Sequence, residues 1–482
     1  MERPPLLAWR TVTLISILLF AVLLLLSGRY GYHRDELYFR VLAEHPAWGY
    51  VDQPPLAPMA AKLSIAVFGD TLFGIRVLPA LAAALLVVLV TLITRELGGR
   101  GVAQILAALG TATGGYTLIA GHAILTLSFD LPFWAAAILF MTKALMREQP
   151  RWWPAVGVIV GLATYNKYLI VMLLLGLAAG LVAVGPRRVL AGPWLWGGAL
   201  IAVALAIPNL LYQATHDWPQ LTMAAALSAD RGGELRALFV PMQLTLFGPV
   251  VTVIGAFGWL RLWRDRRVRA LAVAYPAAAA ATLISGGRFD YTAGLILLLF
   301  AAGCVSVEAA GPGKVRPAGV ALVLNGLGSA VIALPLIPVD TVGATPVPAI
   351  NEVVRESIGW PEFAAKVTNV LGSLPPADRA RAIVMTGSYG EHGALVRAGI
   401  PRVYSGQNQL HEYGPPAESA DVAVMVNIGP RGRDFQYRSC EQKDRVDNGV
   451  GLDNELQGMG IFLCRGLKQP WSVAWPSYRH FD

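Results

Sequence analysis

Apolar runs long enough to cross a bilayer recur along this chain from residue 11 to about residue 336, and few folds accept that pattern. A spanning helix needs about 20 predominantly apolar residues. Stretches of this character fall at about 11–27, 72–93, 101–120, 123–142, 154–165, 168–184, 194–211, 239–260, 270–285, 293–310 and 318–336, which predicts roughly eleven crossings. Composition agrees: 55% of the 482 residues are apolar and 15% are charged, against about 25% charged in soluble domains. From Asp340 onward charge density rises and the spanning runs stop, with Pro335, Pro338, Pro346 and Pro348 punctuating the change. The expectation is a helical polytopic domain over residues 1–339 and a soluble domain over 340–482.

The formal charge of +8 sits mainly in short loops between apolar runs, so it orients the chain and gives no reason to expect nucleic acid. Counted alternately from a cytoplasmic N-terminus, one side collects the basic clusters near Arg95 and Arg100, Arg147 and Arg151, Arg187 and Arg188, Arg261 to Arg269, and Lys314 and Arg316. An odd number of crossings then puts loops 28–71 and 212–238 and the C-terminal domain outside, as expected of a multi-pass plasma (inner) membrane protein. Thr11 to Leu26 resembles a signal-peptide core but lacks a small-residue cleavage site, so it is taken as the first span. Cys304 lies within a span. Cys440 and Cys464 lie in the tail and are free to pair if that tail faces an oxidising compartment.

Basic clusters flank residues 154–184, which suggests a hairpin with Tyr165-Asn166-Lys167-Tyr168 at its outer tip. A lysine at or below the membrane surface is a functional candidate, or else it snorkels from a helix end. Just after the first span, Gly31-Tyr32-His33-Arg34-Asp35-Glu36-Leu37-Tyr38-Phe39 crowds ionisable groups against the membrane surface, where desolvation perturbs them. Adjacent residues on a helix point about 100° apart, so of Asp35 and Glu36 one is expected to do chemistry and the other to bind or brace. The alternative is an interfacial amphipathic helix that dips Leu37 and Phe39 into lipid. Further on, Trp48-Gly49-Tyr50-Val51-Asp52-Gln53-Pro54-Pro55-Leu56 forms a stiff turn in which Asp52 either holds an acceptor or cation or caps the next helix.

These residues, in this order, resemble the dolichyl-phosphate-mannose protein mannosyltransferase-like family, glycosyltransferases of GT-C fold that include the bacterial lipid A aminoarabinose transferases. The likeness rests on Asp35-Glu36, on Tyr50 to Leu56, on Asn166-Lys167-Tyr168 and on Gly286-Gly287-Arg288-Phe289-Asp290-Tyr291, with further similarity at Gly157 to Lys167 and Pro208-Asn209 to Pro219. It implies inverting transfer of a sugar from a polyprenyl-phosphate donor to a cell-envelope acceptor, protein, lipid or glycan, outside the membrane. Asp35 matches the family's proposed base, with Glu36 positioning hydroxyls. A departing phosphate dianion calls for preorganised cations, and Lys167 and Arg288 are best placed, with Tyr291 a weaker candidate. His33, Arg34, Asp52, Gln53 and His216 are the acceptor or substrate candidates. The aminoarabinose transferases carry Glu-Lys before the proline of the second motif where this chain has Asp52-Gln53, so a contact made there does not carry over. A divalent metal is left open, since no His/Cys/carboxylate spacing demands one.

In the tail, Ala382 to Thr386 reads as a buried strand, followed by Gly387-Ser388-Tyr389-Gly390, a helix near Glu391 to Arg397 and a strand near Arg402 to Tyr404. Asp421 to Asn427 and Gly460 to Cys464 add two more strands, so an α/β domain is expected. Its Gly-Ser-Tyr-Gly turn resembles a phosphate cradle but lacks the full nucleotide-binding patterns, and a glycan contact or plain turn chemistry fits better. A transporter or lipid flippase is the competing function. It would be expected to bury ionisable groups at the midplane of two repeated halves, whereas here carboxylates gather in the first loop and no internal repeat is evident. A binding subunit that keeps the fold without catalysis is a third reading, and it would be exposed by loss of Asp35, which is present.

Overall fold

The computed structural model describes residues 4–481, the side chains of 227 and 229–231 excepted. The chain forms two compact units. One comprises Met1–Ser27, Gln53–Ala57 and Arg76–Leu334, the other Gly28–Asp52, Pro58–Ile75 and Pro335–Asp482. Residues 28–52 and 58–75, which sequence alone attaches to the membrane domain, cluster with the C-terminal part.

The helices in chain order are α1 (Trp9–Leu26), α2 (Arg34–Glu44), α3 (Leu56–Phe68), α4 (Leu72–Glu96), α5 (Gly101–Ala112), α6 (Gly115–His122), α7 (Thr126–Met146) and α8 (Trp153–Ala163). They continue as α9 (Ile170–Val184), α10 (Pro193–Thr215), α11 (Pro219–Thr245), α12 (Pro249–Arg264), α13 (Arg269–Ser285), α14 (Ala293–Ala309) and α15 (Pro312–Ala333). Among the described residues six helices are long and apolar enough to cross a membrane, or up to eight if each of two bent pairs is one span. The bent pairs are α5 with α6, at 56°, and the second half of α11 with α12, at 87°. Each of the eleven apolar stretches falls on a helix or a bent pair. The two counts part at α8, α9 and α13, whose 11, 15 and 17 residues rise less than the ~30 Å of a hydrocarbon core.

A break inside a bilayer frees backbone groups that need partners, and the two breaks supply them to each other. Tyr116 N–H donates to the Leu246 carbonyl across 3.0 Å. The Asn325 side chain of α15 donates to the Phe247 carbonyl (3.0 Å) and accepts from Val250 N–H (3.2 Å). Elsewhere small residues let helices touch through backbone. A Cβ at Gly157 would lie 2.0 Å from the Gly198 carbonyl oxygen, joining α8 to α10. Gly176 and Gly180 of α9 meet the Ala274 and Ala270 carbonyls of α13 in the same way, and Gly258 of α12 meets Leu299 of α14.

The second unit holds a five-stranded sheet built from β1 (Ala382–Thr386), β2 (Val403–Ser405), β3 (Val422–Val426), β4 (Tyr437–Arg445) and β5 (Gly460–Leu467). Its order is β2-β1-β3-β5-β4, with β1 parallel to β2 and β3 and the pairs β3–β5 and β5–β4 antiparallel. Four strands coincide with the expected ones. The edge strand β4 escapes sequence reading because only Tyr437 among its residues is buried. Cys440 and Cys464 are cross-strand partners on β4 and β5 and form a disulfide. Helix α2 packs on the helix Tyr389–Arg397, where a Cβ at Gly393 would lie 2.6 Å from the Leu37 carbonyl oxygen. Leu37 and Phe39 are therefore buried in protein, at 1% and 2% exposure, and not in lipid as an interfacial helix would have them.

Replacing Gly258 by alanine would put a Cβ 1.8 Å from the Leu299 carbonyl oxygen and force α12 from α14. Thermal unfolding in detergent is expected to show a loss on the order of 1–3 kcal/mol, while Gly197→Ala, with nothing within 4 Å of the new Cβ, is expected to be neutral.

Candidate active site

The N-terminus of α2 is locked by a reciprocal cap. His33 Nδ1 accepts from Asp35 N–H (3.2 Å), and the Glu36 carboxylate accepts from His33 N–H (2.8 Å). Both acidic residues lie in the first turn, where the helix dipole favours negative charge. The cap separates their roles: Glu36 is fully buried at 0% exposure, whereas the Asp35 side chain keeps 30% of its surface open.

Around Asp35 the charges are paired off. Arg34 bridges Glu356 (3.0 Å) and Glu455 (3.1 Å), and His33 Nε2 contacts Glu356 at 3.0 Å. Burial alone would push the His33 imidazole down, but the Asp35 and Glu356 carboxylates outweigh it and raise its pKa. Burial likewise opposes ionisation of Glu356, yet His33 and Arg34 hold its pKa below the usual range. The Tyr389 hydroxyl donates to Asp35 Oδ1 at 2.9 Å. Its ring stacks on Tyr38, centroids 4.5 Å apart, and the Arg34 guanidinium lies 5.5 Å from its centroid. Tyr38 in turn donates to Asp52 Oδ1 at 2.9 Å. Two stacked tyrosines thus each hold one of the carboxylates that the sequence singled out.

The turn that delivers Tyr389 spends its amides internally. Gly387 N–H and Ser388 N–H donate to Glu391 (3.1 and 3.0 Å), and Tyr389 N–H donates to Gln407 Oε1 (2.5 Å). Its work is to position a side chain, with the cradle-like backbone already engaged.

In the membrane unit, the hairpin tip is tied down on two sides. Leu56 N–H donates to the Tyr165 carbonyl (2.8 Å), and Asn166 donates to the Thr126 carbonyl (2.8 Å), while the Tyr168 hydroxyl bonds Asn209. Lys167 interacts electrostatically with Asp130 and Asp290. Asp290 is shared, since its Oδ1 accepts from Arg288 Nε at 3.1 Å and its Oδ2 from Tyr116. Tyr291 packs its ring on Gly287. Gln53 Nε2, Asn166 Oδ1 and Asp130 Oδ1 are buried with no hydrogen-bond partner among the described residues.

The structure therefore gathers His33, Arg34, Asp35, Glu36 and Asp52 within the second unit and Lys167, Arg288, Tyr291 and Gln53 within the membrane unit. His216, also in the membrane unit, is exposed, stacks on Tyr212 and bonds its carbonyl. Among the described residues no group of three or more His, Cys, Asp or Glu side chains is arranged to hold a metal. Sequence reasoning missed Tyr38, Tyr389, Tyr116 and Asp130. Of these, Asp130 carried a legible signal, being a carboxylate inside a spanning run.

Burial raises the Asp52 pKa from 3.8 to about 7, with the Asp35 charge adding to it and the Tyr38 hydrogen bond opposing it. A raised carboxylate pKa favours the folded state below the unfolded value and loses that advantage as pH rises to the folded one. Asp52→Asn keeps the acceptor for Tyr38, so its stability relative to wild type is expected to grow from pH 3.8 to about 7 and level off above. The gain should be on the order of 2 kcal/mol once partial exposure is discounted, read by unfolding the two proteins across pH.

Residues 52–212 match the family model of dolichyl-phosphate-mannose-protein mannosyltransferases. No curated protein matches. Among solved structures, ArnT from Cupriavidus metallidurans bound to undecaprenyl phosphate superposes with a TM-score of 0.61 at 14% identity, covering 93% of this chain and 97% of that one. Its apo form gives 0.59 at 13% identity with the same coverage. The arabinofuranosyltransferase AftD from Mycobacteria gives 0.52 at 13% identity over 98% of this chain, which spans 41% of AftD. In the sequence of residues 52–212 the chain resembles the dolichyl-phosphate-mannose-protein mannosyltransferases, and in architecture it has the GT-C fold of ArnT.

Proposed function

We propose that this chain is an inverting glycosyltransferase that moves a sugar from a polyprenyl-phosphate donor to a cell-envelope acceptor on the extracytoplasmic side of the plasma membrane. The observation that carries the reading is the one open oxygen of Asp35. Its neighbours Glu36, Glu356 and Glu455 are sealed in or ion-paired, while Asp35 is partly open; its Oδ1 accepts from Tyr389 and lies 4.0 Å from Arg34 Nε, and its Oδ2 has no hydrogen bond among the described residues. That oxygen takes the acceptor proton as the acceptor oxygen attacks the anomeric carbon. The bond from carbon to the phosphate oxygen breaks, and the polyprenyl phosphate leaves with the electron pair, its charge met by Lys167 and Arg288. Asp290 holds the Arg288 guanidinium by Nε, which fixes the plane of the fork before reaction. Glu36 acts as a brace, and Tyr389 and Tyr38 position Asp35 and Asp52.

The donor class is supported by undecaprenyl phosphate on the similar fold of ArnT and by the family match. The Cys440–Cys464 disulfide suits an oxidising compartment for residues 340–482. The arginines at one end of the membrane helices suit a cytoplasmic N-terminus for residues 1–339. Acceptor choice is assigned to the C-terminal residues, whose loops carry Asn408, His411 and Glu412. Ionisable groups within the membrane helices, the half-buried Asp130 of α7 and the buried Arg76 of α4 and His122 of α6, are what favours a transporter.

Purified protein in lipid, given radiolabelled polyprenyl-phosphate sugars, is expected to release or transfer sugar. Asp35→Asn should lose about 10²–10⁴-fold of the rate while still binding the donor. Tyr389→Phe should lower kcat about tenfold with KM unchanged. Donor binding without cleavage by wild type would favour the transporter reading, and full activity in Asp35→Asn would remove Asp35 from the chemistry.

A further inference from the structure

The membrane unit has a second polar centre at its other end. Helix α14 runs 17 residues, about 25 Å, from the segment that carries Arg288 to a cavity of about 1800 Å³ at Ala309 and Ala310. The ends of α4, α5, α7, α12, α13 and α14 meet there, and the stretch Pro4 to Ala8 forms one wall. That wall is fastened: Ala8 N–H donates to Gln104 Oε1 (2.8 Å), Gln104 Nε2 donates to the Leu6 carbonyl (3.0 Å) and Arg95 Nε donates to the Pro5 carbonyl (2.7 Å).

Seven arginines line the cavity against two carboxylates. Both carboxylates are consumed, Glu96 by a two-pronged bond from Arg147 (2.6 and 2.7 Å) and Asp265 by Arg267 (2.8 Å). Arg95 and Arg261 donate to backbone carbonyls, and Arg261 also shares the Asp265 charge with Arg267. The exposed side chains of Arg100, Arg264 and Arg266 have no hydrogen bond or ion pair among the described residues. The remaining lining is largely apolar, with Met146, Phe257, Leu260 and Leu262 among it. The tendency of one membrane face to collect arginine accounts for their number. It does not account for their convergence on a walled cavity with apolar lining.

We propose that this cavity binds the phosphate headgroup of an anionic phospholipid. The unpaired guanidiniums take the phosphate oxygens by charge-assisted hydrogen bonds, and the apolar wall takes the glycerol and the first methylenes. The ligand is a lipid, not a free anion, because the cavity lies at the ends of spanning helices, where a headgroup is already held at high local concentration.

The full-length protein is reconstituted in phosphatidylcholine vesicles with or without phosphatidylglycerol, and retained lipid is measured by native mass spectrometry after extraction. Wild type is expected to retain phosphatidylglycerol. Arg100→Ala/Arg264→Ala/Arg266→Ala is expected to bind it about a hundredfold more weakly, at about fivefold per arginine. The control Arg187→Ala/Lys314→Ala/Arg316→Ala removes as much charge from residues outside the cavity and should match wild type. Equal loss in both triple variants, or loss in neither, overturns the site. Displacement of the lipid by millimolar inorganic phosphate overturns the lipid assignment. Thermal unfolding of the cavity variant close to wild type excludes misfolding, since none of its three side chains has a partner to lose.

Discussion

Hydrocarbon supplies no hydrogen bonds and little drive for one apolar helix to prefer another over lipid, so the membrane unit depends on backbone-close contact at glycine and alanine. The pairs Gly157–Gly198, Gly180–Ala270 and Gly258–Leu299 bring carbonyl oxygens where a Cβ would stand. Such contacts hold short helices that could not hold themselves. Helices α8 and α9 are too short for ordinary crossings, yet α8 is clamped on α10 and α9 on α13, and their junction presents Lys167. The breaks at α5/α6 and α11/α12 are tolerated for a related reason: Asn325 and the facing chain satisfy what each bend exposes.

In the second unit the organising interaction is different in kind. Ionisable groups packed beside α2 would be costly if left unpaired, and the solution is a partition. Arg34 and His33 absorb Glu356, Arg34 reaches Glu455, the helix cap absorbs Glu36, and Asp35 keeps open surface. Tyrosine is suited to the last step because its hydroxyl can hold a carboxylate without neutralising it, and its ring packs where a cation would not. The stacked pair Tyr38 and Tyr389 does this twice, and Asp52, deeper than Asp35, keeps its raised pKa despite the bond from Tyr38.

The apolar helices and four of the five strands were legible because each is a local pattern, an apolar run or a β-rich run, and Asp35, Lys167 and Arg288 became candidates by a local rule of the same kind, a charge where charge is expensive. Partnership was not legible. Tyr389 lies 354 residues from Asp35, in a turn whose composition suggested a phosphate cradle, and no local rule pairs them. The strand β4 was hidden for the converse reason, since an edge strand with one buried residue has no alternation to read. The 100° separation of Asp35 and Glu36 led to the expectation that one acts and the other binds or braces, but Glu36, expected to position hydroxyls, is instead fully buried in the cap. Which one closes was set by the cap, a contact that depends on His33 standing three residues before Glu36.

The membrane unit also shows that one residue type answers two demands at its two ends. At the Arg288 end, Arg288 and Lys167 face Asp290 and Asp130, so these four groups together are near neutral. At the other end, arginine outnumbers its carboxylate partners seven to two. A matched set can hold a charged reactant and release a charged product without a large change in electrostatic energy, because its own carboxylates stand in when the ligand is absent. An unmatched set has no such substitute, so it draws anions steadily from its surroundings. Turnover suits the first arrangement and standing occupancy the second, which is the reason to propose a resident lipid for the cavity at the ends of α12 and α14.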